Sequence, residues 1–515
     1  MKALPGLAAL ALAASTCAGC AASPNQTASG APPKANAAAL DVPQSVAEVL
    51  AESLETHWQA SDAAPGTLID LDLGLGSATI EEPGAYRLSG TLEAGQVKVE
   101  VEERGLVQLV LDDAHVTSTG SSALYVESAD EVAVILAEGS SNSLTDASTY
   151  DSPDEEPDAA LFSKANLTIA GSGALTVTGR AGDAIASKDG LVVAGGSLRV
   201  EAADDGLRGR DYLRLLGGSL SVNAKGDGLK STNGSDPGAG YILFEGADVA
   251  VKAGTDCADA ASDVLVAAGT ATLSCGDDGL HAEARLVMDG GSVRIADSFE
   301  GMEAAVLVIA GGQTDIVSSD DAVNAAAGDD AGQSGDDVGR PGDPARGPGA
   351  RGAQAGVALV VAGGRLTVKS GGDGLDSNGT GLISGGDIAV YTAARGAEGP
   401  FDIADGGPVI TGGTVWAFGA GDGAGAISAP DADSTQGWAA ASFAAGLAAG
   451  SELTVTDASG QPVGGATLTE SVSALVFSSA GVVNGQSYRV GPNGSQIEVA
   501  AGVPIANGPG RDRRR

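Results

Sequence analysis

Aromatic side chains are nearly missing from this sequence. Phe, Tyr and Trp make up 3% of its 515 residues, which excludes a core built around large rings. Bases are scarce too, with 28 Lys+Arg against 67 Asp+Glu and a formal net charge of -39. Phosphate contacts need clustered Lys and Arg, so a nucleic-acid surface is excluded. Cations, or partners that carry them, are the natural counterpart of such a chain. Histidine occurs only at His57, His115 and His281, and no Ser/His/Asp triad can be argued from these. Beyond the first twenty residues no apolar run is long enough to span a bilayer. What is present is glycine, 79 residues of it, and small aliphatics, for 43% hydrophobic residues and a mean hydropathy of +0.10. A disordered acidic chain would lack that apolar mass. Thin stacked layers of Ala, Val, Leu and Ile fit it.

The segment Met1 to Cys20 has one Lys, then a Leu/Ala run, then small residues, the pattern of a secretory signal. Its end, Cys17-Ala18-Gly19-Cys20, resembles a bacterial lipobox, although Cys17 stands where Leu is usual. Residues 1–20 are therefore read as a lipoprotein signal with Cys20 lipidated, which tethers without spanning. Residues 21–66 read as a flexible linker containing a short helix within 44–60. The expected location is extracellular, lipid-anchored on a bacterial cell surface. Disulfides persist there, and Cys257 and Cys275 lack the CxxC spacing of a zinc site.

A 22-residue repeat organises the rest. Asp183-Ala184-Ile185, Asp205-Gly206-Leu207 and Asp227-Gly228-Leu229 start 22 apart. After seven inserted residues the series continues at Asp256, Asp278, Glu300 and Asp321, and it returns at Asp373. Glycine pairs keep step, as at Gly195-Gly196 and Gly217-Gly218. Each repeat reads as a short strand, a glycine turn, a period-2 strand and an acidic turn. Such strands bury a face only when stacked, which predicts an all-β, single-stranded parallel β-helix. Its hand is expected to be right by the crossover preference. The spacing of leucine-rich repeats and of nine-residue calcium rolls is absent, and the glycine content conflicts with helical repeats. The β-helix is assigned to 67–427, with an opening cap and a disordered loop at 328–356. A C-terminal β module follows at 428–500 and a disordered tail at 501–515.

Stacking sets the candidate chemistry. Asp183, Asp205, Asp227, Asp256, Asp278, Glu300, Asp321 and Asp373 form one acidic column, with neighbours about 4.8 Å apart. Like charges at that spacing need hydrogen bonds or a cation between them. Ca²⁺, which takes six to eight oxygens, is the expected ion. The alternative is that these Asp side chains cap turns through backbone N–H groups. Lys188 and Arg210 stack beside the column, as do Arg208 and Lys230. Together with Tyr212 they are the candidate carbohydrate contacts, or else they neutralise the column by ion pairing. Cys257 and Cys275 fall on neighbouring rungs at one corner and form a candidate disulfide.

Several segments resemble a bacterial family of carbohydrate-binding domain-containing proteins. They are Gly84-Ala85-Tyr86-Arg87-Leu88-Ser89-Gly90, Glu156-Pro157-Asp158-Ala159-Ala160-Leu161-Phe162, Gly226-Asp227-Gly228-Leu229-Lys230 and Gly372-Asp373-Gly374-Leu375-Asp376. The resemblance covers roughly 67–495. It implies a polysaccharide-lyase-like right-handed β-helix that binds calcium and cellulose or acidic polysaccharide, with no established catalysis. The expected protein is a monomeric polysaccharide binder. A calcium-dependent lyase and a structural adhesin for protein partners are the alternatives.

Overall fold

The computed structural model describes residues 40, 42–52, 66–150, 156–327, 353–393, 399–404, 406–419 and 427–505. The segments expected to be a signal with Cys20 and a linker, the 328–356 loop and the tail lie wholly or mostly outside the described residues.

The chain is all-β, and its strands stack in parallel. Leu191 pairs with Leu213, Leu198 with Leu220 and Leu207 with Leu229, each 22 residues on. The seven-residue insertion makes the next step longer, with Leu220 opposite Val249. Each rung carries three strands where the sequence suggests two. In one rung these are Asp183–Ser187, Gly190–Val193 and Ser197–Ala202. The extra strand begins at or just after the acidic turn. It is as short as Leu207–Gly209 in the next rung, too short for a period to show.

Aliphatic ladders fill the interior. Leu167, Leu191, Leu213 and Ile242 stack on one face, and Val177, Val200, Val222 and Val251 on another. All are buried. The glycine pairs have two separate reasons. A Cβ on Gly290 would lie 2.0 Å from the Ala267 carbonyl of the previous rung, while Gly291 has φ +70°. The first glycine permits close approach, and the second permits a left-handed turn.

The two ends differ. The last parallel strand, Thr414–Gly419, pairs antiparallel with Val472–Ser478, which pairs with Trp438–Leu447. These strands join the solenoid sheet rather than the separate four-stranded antiparallel sheet made of 452–457, 462–467, 487–492 and 497–500. Several aromatics gather here, with Trp416, Phe418, Phe443 and Phe477 in one buried cluster. At the other end, Leu68–Asp72 pairs with 85–89, and among the described residues no strand pairs with its outer edge. The turn Leu73–Leu75 follows it, with Leu73 buried in the core. The helix Val46–Leu50 packs instead on the side of the solenoid, against Asp263–Ser274. Arg285 holds Glu52 there at 2.7 Å.

Candidate functional site

The acidic column forms, and most of it is a hydrogen-bonded ladder. Asp183 Oδ1 accepts the Asp205 amide at 3.1 Å, and Asp205 Oδ1 accepts the Asp227 amide at 2.9 Å. Asp227 accepts from Asp256 at 3.0 Å, and Asp256 from Asp278 at 2.8 Å. Further on, Asp321 accepts from Asp373, and Asp373 from Gly399, both at 2.6 Å. The carboxylates thus cap the turn of the next rung, one oxygen each, as Asp does in turns generally.

Among the described residues the ladder lapses between Asp278 and Glu300. Glu300 has a longer side chain, and there carboxylates face one another instead of peptide N–H groups. Asp278, Glu300 and Glu303 place oxygens within 4.8 Å of each other. Glu303 belongs to a second row that the sequence reading did not assemble, formed by the residues three after each column acid. The row runs Arg208, Lys230, Asp259, His281, Glu303, Asn324 and Asp376 in successive register. Counting three residues on from each acid exposes it. Earlier in the row stand Lys98, Tyr125, Phe162 and Ala186. Charge is sorted along it, with bases first and acids later.

Electrostatics at the lapse are unusual. Burial, with the neighbouring Asp278, pushes Glu300 up to about 8 despite a hydrogen bond from Asn324. Burial, then Glu300 and Asp278, push Glu303 up to about 9. Burial opposes charge on His281, but its 3.0 Å contact with Asp259 prevails and holds it up at about 9. Asn324 donates Nδ2 to Glu300 at 3.0 Å and to Glu303 at 3.4 Å. Its Oδ1 is buried with no partner, in a residue only 8% exposed. A buried amide oxygen left unpaired is costly. A hard cation fits the three carboxylates, and the Asn324 amide, which here turns Nδ2 toward Glu300 and Glu303, would offer Oδ1 to it by rotating its amide.

The basic candidates are held by acids. Arg208 donates Nε to Asp183 and Nη2 to Asp158, both at 2.6 Å. Lys230 contacts Asp227, and Asp259 at 3.5 Å. Lys188 meets Glu156 at 2.5 Å and Arg210 meets Asp211 at 2.8 Å, both nearer the surface. Tyr212 is not a platform for a sugar ring. It is 1% exposed, lies over Gly190 of the previous rung, and stacks on Tyr241 with centroids 5.5 Å apart. A Cβ at Gly190 would come within 2.0 Å of the Tyr212 ring, so the glycine makes room for an inter-rung packing residue. Cys257 and Cys275 are bonded, with their Cα atoms 5.5 Å apart. They join the turn after Asp256 to the turn before Asp278.

Nearer the start of the column, Ser148, Thr149, Tyr150, Pro157, Asp158 and the rungs of Asp183 and Asp205 line an open cavity of 690 Å³. Tyr150 stands in its wall and donates to Asp146 at 2.9 Å.

A carbohydrate-binding domain-containing protein of Acetivibrio thermocellus is 42% identical over 200 residues, 38% of this chain and 70% of that one. A solved polysaccharide lyase-like protein from C. thermocellum, a gadolinium derivative, shares 30% identity with a TM-score of 0.41. That match covers 44% of this chain and 96% of the other. The family model described as carbohydrate-binding domain-containing protein matches residues 76–337. The chain is a member of the carbohydrate-binding domain-containing protein family.

Proposed function

We propose that this protein binds polysaccharide along the corner formed by the acidic column and its neighbouring row, without turning it over. A calcium ion is held by Asp278, Glu300, Glu303 and Asn324. The solenoid that carries them is right-handed, with a 22-residue repeat. The carrying observation is the lapse in the ladder, where buried carboxylates converge beside an unpaired amide oxygen. When bound, the ion would neutralise these groups and offer a coordination position to a sugar carboxylate or hydroxyl. Arg208 and Lys230 are engaged by the protein's own acids, so an acidic glycan would reach this corner through the metal. The same ion pairs leave the lyase reading without a favouring observation, because a proton-abstracting base has to be free to meet its substrate.

The family and the acid-rich corner support cellulose or an acidic cell-wall glycan as ligand. The leader sequence and the Cys257–Cys275 bond support secretion, and the lipobox-like end of the leader supports anchoring through Cys20 at the cell surface. Retention on cellulose and polygalacturonate, with and without chelator, tests the reading. Retention of polygalacturonate that chelator abolishes is expected. Failure to retain any polysaccharide, while a protein partner on cells is retained, would overturn it in favour of an adhesin.

A further inference from the structure

Side-chain length at Glu300 does not by itself explain why, among the described residues, Asp278 lacks its ladder bond. That bond would be donated by the Glu300 peptide N–H, which every residue but proline carries. The backbone leading to Glu300 is what differs. Strand Asp263–Ser274 runs in step with Ser292–Asp297 as far as the pair Leu273 and Ile295, and then Ser274 faces Asp297. Ala296 is an extra residue, a β-bulge. The turn that follows is shorter by one residue, running from Asp297 to Glu300 where the rung before runs from Ser274 to Asp278.

The bulge inverts the facing of two residues. Elsewhere this corner has a buried residue followed by a more open one, as at Ala224-Lys225, Ala253-Gly254, Cys275-Gly276 and Ser318-Ser319. Here Asp297 is exposed and Ser298 is 3% exposed. The sequence supplies the cause. Counted from the paired residues Asp248, Thr270 and Ser292, Asp297 takes the place of Ala253 and Cys275. A carboxylate is not buried there without a partner. Sliding the chain by one residue turns Asp297 out and takes a small Ser in. Ser298 Oγ is then buried with no partner. The inward-facing Ser318 and Ser370 instead donate to the carbonyls of Asp320 and Gly372 at 3.0 and 3.1 Å. Bulges are over-represented next to active sites, where they re-aim a side chain or end a pairing.

We propose that Asp297 and Ser298 are positioning residues for the cluster of Asp278, Glu300 and Glu303. Their bulge withholds the Glu300 amide from Asp278 and leaves that carboxylate to face the ion. Neither residue touches the ion itself. This rests on the calcium reading, and adds that the gap in the ladder is built by the backbone.

Asp297→Ala combined with Ser298→Gly restores the pair found at Ala253-Gly254 and removes the reason for the bulge. Calcium is titrated calorimetrically into the full chain after metal has been stripped with chelator, and hydrogen exchange is read at the Glu300 amide. The double variant is expected to bind calcium about 10- to 100-fold more weakly, as when a supporting residue is taken from a metal site. Its Glu300 amide should exchange more slowly, because the ladder closes. Asp297→Asn separates the bulge from the charge. An amide side chain is no better buried without a partner, so the bulge persists. Affinity should then fall by no more than about fivefold, the value of one surface charge. Calcium bound by the double variant as tightly as by the unaltered protein would overturn the inference, with the calcium reading left standing. So would an equal loss in both variants, or unaltered exchange at Glu300 in the double variant. An unaltered protein that binds no calcium would overturn the calcium reading and this inference with it.

Discussion

Two stretches of one acidic column behave differently. From Asp183 to Asp256 each carboxylate accepts the amide of the next rung. From Asp278 to Asn324 carboxylates crowd together, with Asn324 Oδ1 unpaired. The residues are of similar type, and their spacing in the sequence is nearly the same. What differs is whether a donor stands opposite. A stacked acid with a peptide N–H in front of it is part of the scaffold. A stacked acid facing another acid is, on the proposed reading, a place for a cation. The lesson is that a repeated acidic position is informative where its hydrogen bonding fails, not where it recurs.

Substitutions in the two stretches should therefore act in opposite directions. The largest effect is expected in the ladder. Asp227→Ala removes the acceptor of the Asp256 amide and the partner of Lys230. It should lower unfolding free energy by ~3 kcal/mol, as for a buried network left with unpaired groups. Denaturant titration measures this, and the response to calcium should be unaltered. A smaller effect of opposite sign is expected at the lapse. Glu303→Gln removes a buried acid from a like-charged cluster and should stabilise the metal-free protein at pH 8 by ~1 kcal/mol. The same change should abolish the rise in Tm on adding calcium. A ladder variant that lost calcium response, or a Glu303→Gln variant that kept it, would break the comparison.

Titration sharpens it further. Glu300 and Glu303 move up from 4.5 to about 8 and 9, and His281 from 6.5 to about 9. The native state therefore holds more protons than the unfolded state between these limits, so stability falls as pH rises. The metal-free protein should lose Tm steadily from pH 4.5 to pH 9, and calcium should flatten that slope. A rising Tm over the same interval would contradict the cluster's electrostatics. The smallest effect belongs to the surface pair of Lys188 and Glu156. Lys188→Ala should change stability by no more than ~0.5 kcal/mol, the usual size for an exposed ion pair.

Much of this was legible in the sequence. The 22-residue period gave the parallel stack and the acidic column, because Asp and Gly recur where turns demand them. The third strand was hidden because three residues such as Leu207–Gly209 show no alternation. Tyr212 read as a sugar platform because its exposure depends on Gly190 in the rung below, and one rung's sequence does not reveal what it stacks on. Glu303 and Asn324 were missed for a different reason. Their position three after each column acid recurs as faithfully as the acids do, but the residue type changes from Arg208 and Lys230 to Asp259, His281, Glu303 and Asn324. A search for identical residues passes over such a row, although a search for a constant offset finds it.

The most direct test of the central claim is the position of calcium in a crystal of the protein grown with the ion, located by its anomalous scattering. The account predicts one strong site among Asp278, Glu300, Glu303 and Asn324, with the Asn324 oxygen among its ligands. Ions spread along the ladder at Asp205 and Asp227, with none at the lapse, would contradict it.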